Sequence, residues 1–276
     1  MKAAALILSL LVSPLMSCAG SRHADGPELA GQAGWRWEVV AAGPFDLAVA
    51  SAPGGAGDTL AVYLEGDGFA YVGPRRPSLD PTPTDPMALR MALAHPGRAA
   101  VAWLGRPCQY TLPEHGRGCG EATWTTARYG PAVVDSMNTA LDILKRRAGA
   151  AHLILAGYSG GGALAVLLAA RRSDVEGIVT IAANLDLGYW TRRDGLSPLS
   201  GSLDPEEAAE ALGAMPQIHF TGAKDDTVGT DVVAAFMRRL PEGTPARLVE
   251  IPGFTHACCW VRDWPALAAD LAVPGW

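Results

Sequence analysis

Six short apolar runs, separated by segments of helical patterning, restrict this chain more than any other feature. The runs cover 60–64, 99–104, 152–156, 177–182, 217–221 and 247–251, and Gly, Pro or charged turns bound them. Near-continuous apolar runs of this length suit strands covered on both faces, as in a parallel sheet. Between them, 131–147 opens on Pro131 and closes in Lys145-Arg146-Arg147, which matches the helix dipole at its last turn. Helical patterns also cover 161–172, 230–240 and 264–271. Strand–helix alternation sustained over this length predicts an α/β fold, with a mostly parallel central sheet and helices on both faces. About half of the 276 residues are hydrophobic, enough to fill two such layers.

Two stretches interrupt the alternation. Residues 73–86 are too proline-rich for regular helix. Residues 184–214 separate two predicted strands and contain a short acidic helix at 205–212; they read as a lid, a pocket wall or a solvated connection. Residues 18–33 are rich in Gly, Ala and polar side chains without periodicity and read as a tether. The remainder, 34–276, reads as a single domain.

The amino terminus has the pattern of an export signal. Lys2 supplies a positive charge, and 3–12 is an apolar run too short to span a bilayer. Leu15-Met16-Ser17-Cys18 follows, and this quartet resembles the lipobox of bacterial lipoproteins. The resemblance implies a signal peptide over 1–17, a lipid on Cys18, and an exported protein anchored in the bacterial cell envelope on the periplasmic side. The membrane is then a partner through that lipid. A net charge of −6 argues against a nucleic-acid partner, which requires basic surface.

Four further cysteines remain. Cys108 and Cys119 flank a turn-rich loop and are expected to form a disulfide, as an oxidising compartment allows. Cys258 and Cys259 are adjacent; a vicinal disulfide, two thiols or exchange with the first pair all remain open. No Walker loop, dinucleotide fingerprint or metal-spaced His pair occurs, so no cofactor and no metal are expected.

The chemistry centres on Gly157-Tyr158-Ser159-Gly160-Gly161, which follows a predicted strand and opens a predicted helix. A serine hydroxyl is a poor nucleophile unless it is exposed, aimed and set beside a base. Small neighbours permit the sharp turn that does the aiming. With this context the chain resembles the α/β-hydrolase superfamily over nearly all of 34–276, and Ser159 matches the family's nucleophile. Four segments together also resemble a group of exported bacterial hydrolases. These are Glu65-Gly-Asp-Gly68, Arg106-Pro-Cys108, Gly157-Tyr-Ser-Gly-Gly-Gly162 and His256-Ala-Cys-Cys-Trp260.

The family order of nucleophile, acid, histidine implies a histidine after the last strand, where His256 stands. His23, His95 and His115 precede Ser159, while His152 and His219 fall on predicted strands. Gly222-Ala-Lys-Asp225-Asp226-Thr-Val228 resembles the family's acid turn and implies Asp225. Asp226 is the acid if the turn is shifted by one, and Asp186 if the earlier strand carries it. One oxyanion donor is the N–H of Gly160. The other, by position, belongs to Asp67 or Gly68 in Leu64-Glu-Gly-Asp-Gly-Phe69, where this chain departs from the family's glycine-rich loop. A carboxylate at Asp67 needs a cation such as Arg75, Arg76 or Arg106, or else it caps its own turn.

The resemblance implies a serine hydrolase acting on a small-molecule or lipid-like acyl substrate through an acyl-enzyme. The alternative is an idle envelope lipoprotein that binds a ligand or partner on a hydrolase fold.

Overall fold

A computed structural model describes residues 22–54, 57–112 and 116–276. Residues 1–17, where a signal peptide is expected, and Cys18 lie outside the described residues, as does His115. The chain enters through helix α1 (Arg22–Gln32) and an antiparallel pair, β1 (Arg36–Ala42) and β2 (Phe45–Ser51). Then come β3 (Thr59–Leu64), a two-stranded ribbon of β4 (Tyr71–Gly73) and β5 (Arg76–Pro77), helix α2 (Met87–Leu93) and β6 (Ala100–Leu104). Short α3 (Glu121–Trp124) and long α4 (Pro131–Ala148) lead to β7 (His152–Tyr158), α5 (Gly160–Ala169) and β8 (Val175–Ile181). The remaining elements are α6 (Leu187–Arg193), a 3-10 turn (Pro205–Leu212), β9 (Gln217–Gly222), α7 (Thr230–Met237), β10 (Ala246–Ile251) and α8 (Trp260–Leu267).

Eight strands form one sheet in the order β1-β2-β6-β3-β7-β8-β9-β10. From β6 to β10 every neighbouring pair is parallel, whereas β1–β2 and β2–β6 are antiparallel. The strands' two-residue period divides the core into two layers. Leu60, Val62 and Leu64 of β3 pack with Val133, Met137 and Leu141 of α4 and with Leu164 and Leu168 of α5. Ala61 and Tyr63, from the same strand, pack with Leu89 and Met91 of α2 and with Trp260 and Trp264 of α8. Every residue of β3 is therefore buried, as a central strand covered on both faces requires. The expected sheet with helices on both faces is what the chain forms.

Two local expectations change, at 22–32 and 205–212, and a hairpin forms where no apolar run announced one. Residues 22–32 form helix rather than tether, with Gly26 and Ala30 buried. The helix closes on Trp37 and Tyr110 through small side chains, so its contact face carries little hydrophobic bulk and no visible periodicity. Arg22 and His23 also reach Asp80, at 3.3 and 2.9 Å. The hairpin β1–β2 carries no uniform apolar run, because β1 lies at the sheet edge, with Arg36 and Ala41 exposed and residues 37–39 half-buried. Residues 205–212 wind as a 3-10 helix, capped by Asp204 through Glu206 N at 3.2 Å.

The parallel strands all present their carboxyl ends on one edge of the sheet. In an open α/β sheet that edge is where loops converge and ligands bind. Ser159, the Glu65–Gly68 turn, Asp225 and Asn184 each follow a strand that ends there.

Candidate active site

Ser159 sits between β7 and α5 at φ 50° and ψ −121°, a left-handed conformation that costs a non-glycine residue energy. The crowding around it explains the glycines. A Cβ on Gly161 would lie 2.2 Å from Leu64 O, so the start of α5 runs hard against the end of β3. Such a turn lifts the Ser159 side chain above the sheet and aims the amino terminus of the ten-residue α5 at the same point.

His256 arrives on the loop after β10. Its Nε2 is 3.0 Å from Ser159 Oγ and its Nδ1 is 2.9 Å from Asp225 Oδ2. The loop is held by its backbone: the His256 carbonyl accepts from Tyr158 Oη at 3.0 Å and from Trp260 Nε1 at 2.9 Å. Asp225 is held in turn, since its Oδ1 accepts from Thr227 N at 2.9 Å and Val228 N at 3.0 Å. Burial pushes the Asp225 carboxyl upward, but the His256 contact and these two N–H donors outweigh it, and its pKa falls below the usual carboxylate range. The arrangement fits an Nδ1–H imidazole with Nε2 free to accept the serine proton.

The other two candidate acids lie elsewhere. Asp226 is exposed. Asp186 caps α6, accepting from Tyr189 N at 2.7 Å. The structure brings Ser159, His256 and Asp225 together and leaves Asp226 and Asp186 out.

The turn at 65–68 faces Ser159 from the neighbouring strand. Glu65 points inward and accepts from four N–H groups: Gly66 at 3.0 Å, Ala88 at 3.3 Å, Leu89 at 3.2 Å and Trp103 Nε1 at 3.0 Å. Burial raises its pKa, and those four donors oppose the rise. Gln109 Nε2 binds Gly66 O at 2.9 Å and fixes the turn from the other side.

Asp67 makes no local cap. It pairs with Arg106, with Arg128 at 2.5 Å and with Tyr129 Oη at 2.9 Å. Burial would raise its pKa, but the Arg128 and Arg106 guanidiniums hold the carboxyl far below the usual range. Arg106 was among the expected partners, whereas Arg75 and Arg76 are exposed on the ribbon and take no part. Arg128 and Tyr129 carried no local signal; only the need of a buried carboxylate for cations pointed to such a group. The cluster also touches the start of α5: a Cβ on Gly160 would lie 2.0 Å from Asp67 Oδ1 and 2.6 Å from Tyr129 Oη.

These groups surround a cavity of about 460 Å³ that Ser159, His256, Tyr158, Met87, Asn184 and Trp190 help to line. Asn184 and Trp190 come from 184–214, so that segment supplies cavity wall. Trp103 and Trp260 are fully buried core residues. Cys108 and Cys119 are joined, with Cα atoms 5.7 Å apart, in the loop that carries Arg106 and Gln109 toward the 65–68 turn. Cys258 and Cys259 are also joined to each other, directly after the His256 loop.

No protein-family model and no curated protein sequence matches the chain. Solved structures do. An alpha-beta serine hydrolase homologue from Coxiella burnetii is 13% identical with a TM-score of 0.58, over 85% of this chain and 95% of its own. Est1E from Butyrivibrio proteoclasticus is 14% identical with a TM-score of 0.60, over 84% of this chain and 96% of its own. An esterase from Pyrococcus furiosus is 11% identical with a TM-score of 0.59, over 86% and 90%. At such identities the likeness is one of architecture, and it agrees with the sheet order and layers described above: the chain has the α/β-hydrolase fold.

Proposed function

We propose that the chain is a serine hydrolase that cleaves a carboxylic ester or related acyl bond through an acyl-enzyme at Ser159. The observation that carries this reading is the continuous contact Ser159 Oγ–His256 Nε2–His256 Nδ1–Asp225, at 3.0 and 2.9 Å. A hydroxyl held on a neutral imidazole, itself oriented by an ionised carboxylate, is the arrangement that activates a serine.

Ser159 Oγ attacks the acyl carbon while His256 Nε2 takes the hydroxyl proton. Asp225 stays ionised and stabilises the imidazolium. The carbonyl oxygen becomes an oxyanion next to the α5 amino terminus, where the Gly160 N–H and an N–H of Asp67 or Gly68 serve as donors. The intermediate collapses as His256 returns its proton to the leaving oxygen, which departs as the alcohol and leaves the acyl group on Ser159. Water, deprotonated by His256, then attacks the acyl carbon; the bond to Ser159 Oγ breaks, His256 returns the proton to that oxygen, and the acid is released.

The Asp67 carboxylate does not oppose the oxyanion in this scheme, because Arg106 and Arg128 neutralise it and leave one positive charge in excess. Export and lipid attachment at Cys18 belong to the same proposal, and mass spectrometry of the amino-terminal peptide from membranes tests them. The catalytic reading is tested with p-nitrophenyl esters of graded chain length. Wild-type protein is expected to turn them over with an initial burst, and Ser159→Ala to show neither burst nor turnover. Equal rates in the two proteins would contradict the proposal.

A further inference from the structure

Two polar groups on the wall of the Ser159 cavity have hydrogen-bonding capacity that the fold does not use. The Arg128 side chain is only 7% exposed. Its Nε donates to Thr125 O at 2.7 Å and its Nη1 to Asp67 Oδ2 at 2.5 Å, which leaves Nη2 unspent among the described residues. Arg128 lines the cavity. Asn184, 4% exposed, lines it as well, and its Oδ1 is buried with no hydrogen-bond partner. A buried polar group without a partner costs free energy, so Asn184 Oδ1 calls for an explanation, and Arg128 Nη2 is a further donor on the same wall.

The charge balance points the same way. Asp67 is shared between Arg106 and Arg128, so two guanidiniums face one carboxylate. The other acids on this wall are engaged: Glu65 with four N–H groups, Asp85 with Arg90 at 2.9 Å. The cluster therefore retains one positive charge, and an anionic group of the substrate would relieve the cost of burying it. Because Asp67 Oδ1 lies against Gly160, Arg128 stands only one carboxylate beyond the helix that Ser159 opens.

We propose that the cavity takes an acyl substrate bearing a second, anionic group, a carboxylate a few bonds from the scissile carbonyl. The Arg128 Nη2 edge binds that carboxylate, and Asn184 Oδ1 accepts from an N–H or O–H of the substrate beside it. Short half-esters of dicarboxylic acids are then preferred over neutral alkyl esters of equal length. This inference rests on the serine-hydrolase reading of the same site.

The test compares kcat/KM for p-nitrophenyl hemiglutarate and p-nitrophenyl hexanoate. One charge-assisted contact supports a preference of about tenfold or more for the half-ester. Arg128→Met is expected to remove that preference mainly through KM. Equal rates, or a preference for the neutral ester, in wild-type protein overturn the inference without any variant. A fall in kcat by the same factor for both esters in Arg128→Met, with the preference intact, also overturns it and assigns Arg128 to the 65–68 turn alone. A second arm needs no turnover: monomethyl glutarate is titrated into Ser159→Ala, and absence of saturable binding overturns the inference. Failure of the hydrolase reading shows differently, as loss of both esterase activities with that binding retained.

Discussion

The two turns that face each other across the cavity are built by different means. The Ser159 turn is made by its own neighbours: glycines let the backbone run against β3, and the serine adopts its left-handed conformation inside five consecutive residues. The 65–68 turn, at the end of the adjacent strand, is held from far along the chain. Arg106 and Gln109 reach it after β6, Arg128 and Tyr129 from just before α4, and the N–H groups of Ala88 and Leu89 from α2. Steric exclusion makes the first turn, whereas buried charge and hydrogen bonds make the second. Damage to the first should therefore act on chemistry, and damage to the second on stability and on chemistry together.

The largest expected effect falls on the Ser159 side. Asp225→Asn is expected to lower kcat by about 10⁴-fold, because the His256 tautomer and its imidazolium lose their partner. Asp226→Asn and Asp186→Asn should remain within a few-fold of wild type in the same initial-rate assay. A reversed ranking would reassign the acid and break the relay that distinguishes this turn from the other.

Asp67→Ala probes the second turn. It leaves Arg106 and Arg128 buried without their carboxylate, and breaking a buried pair in this way costs about 3–5 kcal/mol. Urea denaturation should show that loss together with a lower kcat. A change below about 1 kcal/mol would mean that the turn stands without its distant partners.

A smaller effect concerns the layer beneath β3. Tyr63 Oη accepts from Trp264 Nε1 at 2.9 Å and donates to His95 Nδ1 at 2.8 Å, so the fold needs His95 neutral. Burial lowers the His95 pKa to about 4, from about 6.5 in the unfolded chain. A depressed histidine contributes stability that is complete above the unfolded pKa and is lost as pH falls through the folded one. Stability should therefore fall between pH 6.5 and 4, and His95→Gln should flatten that fall in denaturant midpoints taken across the window. An unchanged slope would show that His95 is not the group whose protonation weakens the layer beneath β3.

The same contrast explains what could be read from the residues alone. The apolar runs 60–64, 152–156 and 217–221 fall on central strands because a strand buried on both faces has no room for polar alternation. Ser159 and Asp225 were legible because each follows such a run in a recognisable turn, and His256 because it follows the last run, 247–251, although β10 is a half-exposed edge strand. Arg128 and Asn184 were not: one precedes a helix and the other follows a strand, and only the folded chain puts them on one cavity wall. Helix α1 escaped notice because it packs through Gly26 and Ala30, whose burial depends on Trp37 and Tyr110 rather than on any pattern of their own.

The central claim is that Ser159 is an activated nucleophile. The folded protein is incubated with a fluorophosphonate probe, digested, and the modified peptide sequenced by mass spectrometry. The account predicts a single stoichiometric adduct on Ser159, absent in Ser159→Ala and strongly slowed in Asp225→Asn. An unlabelled folded protein, or an adduct on another residue, would contradict it.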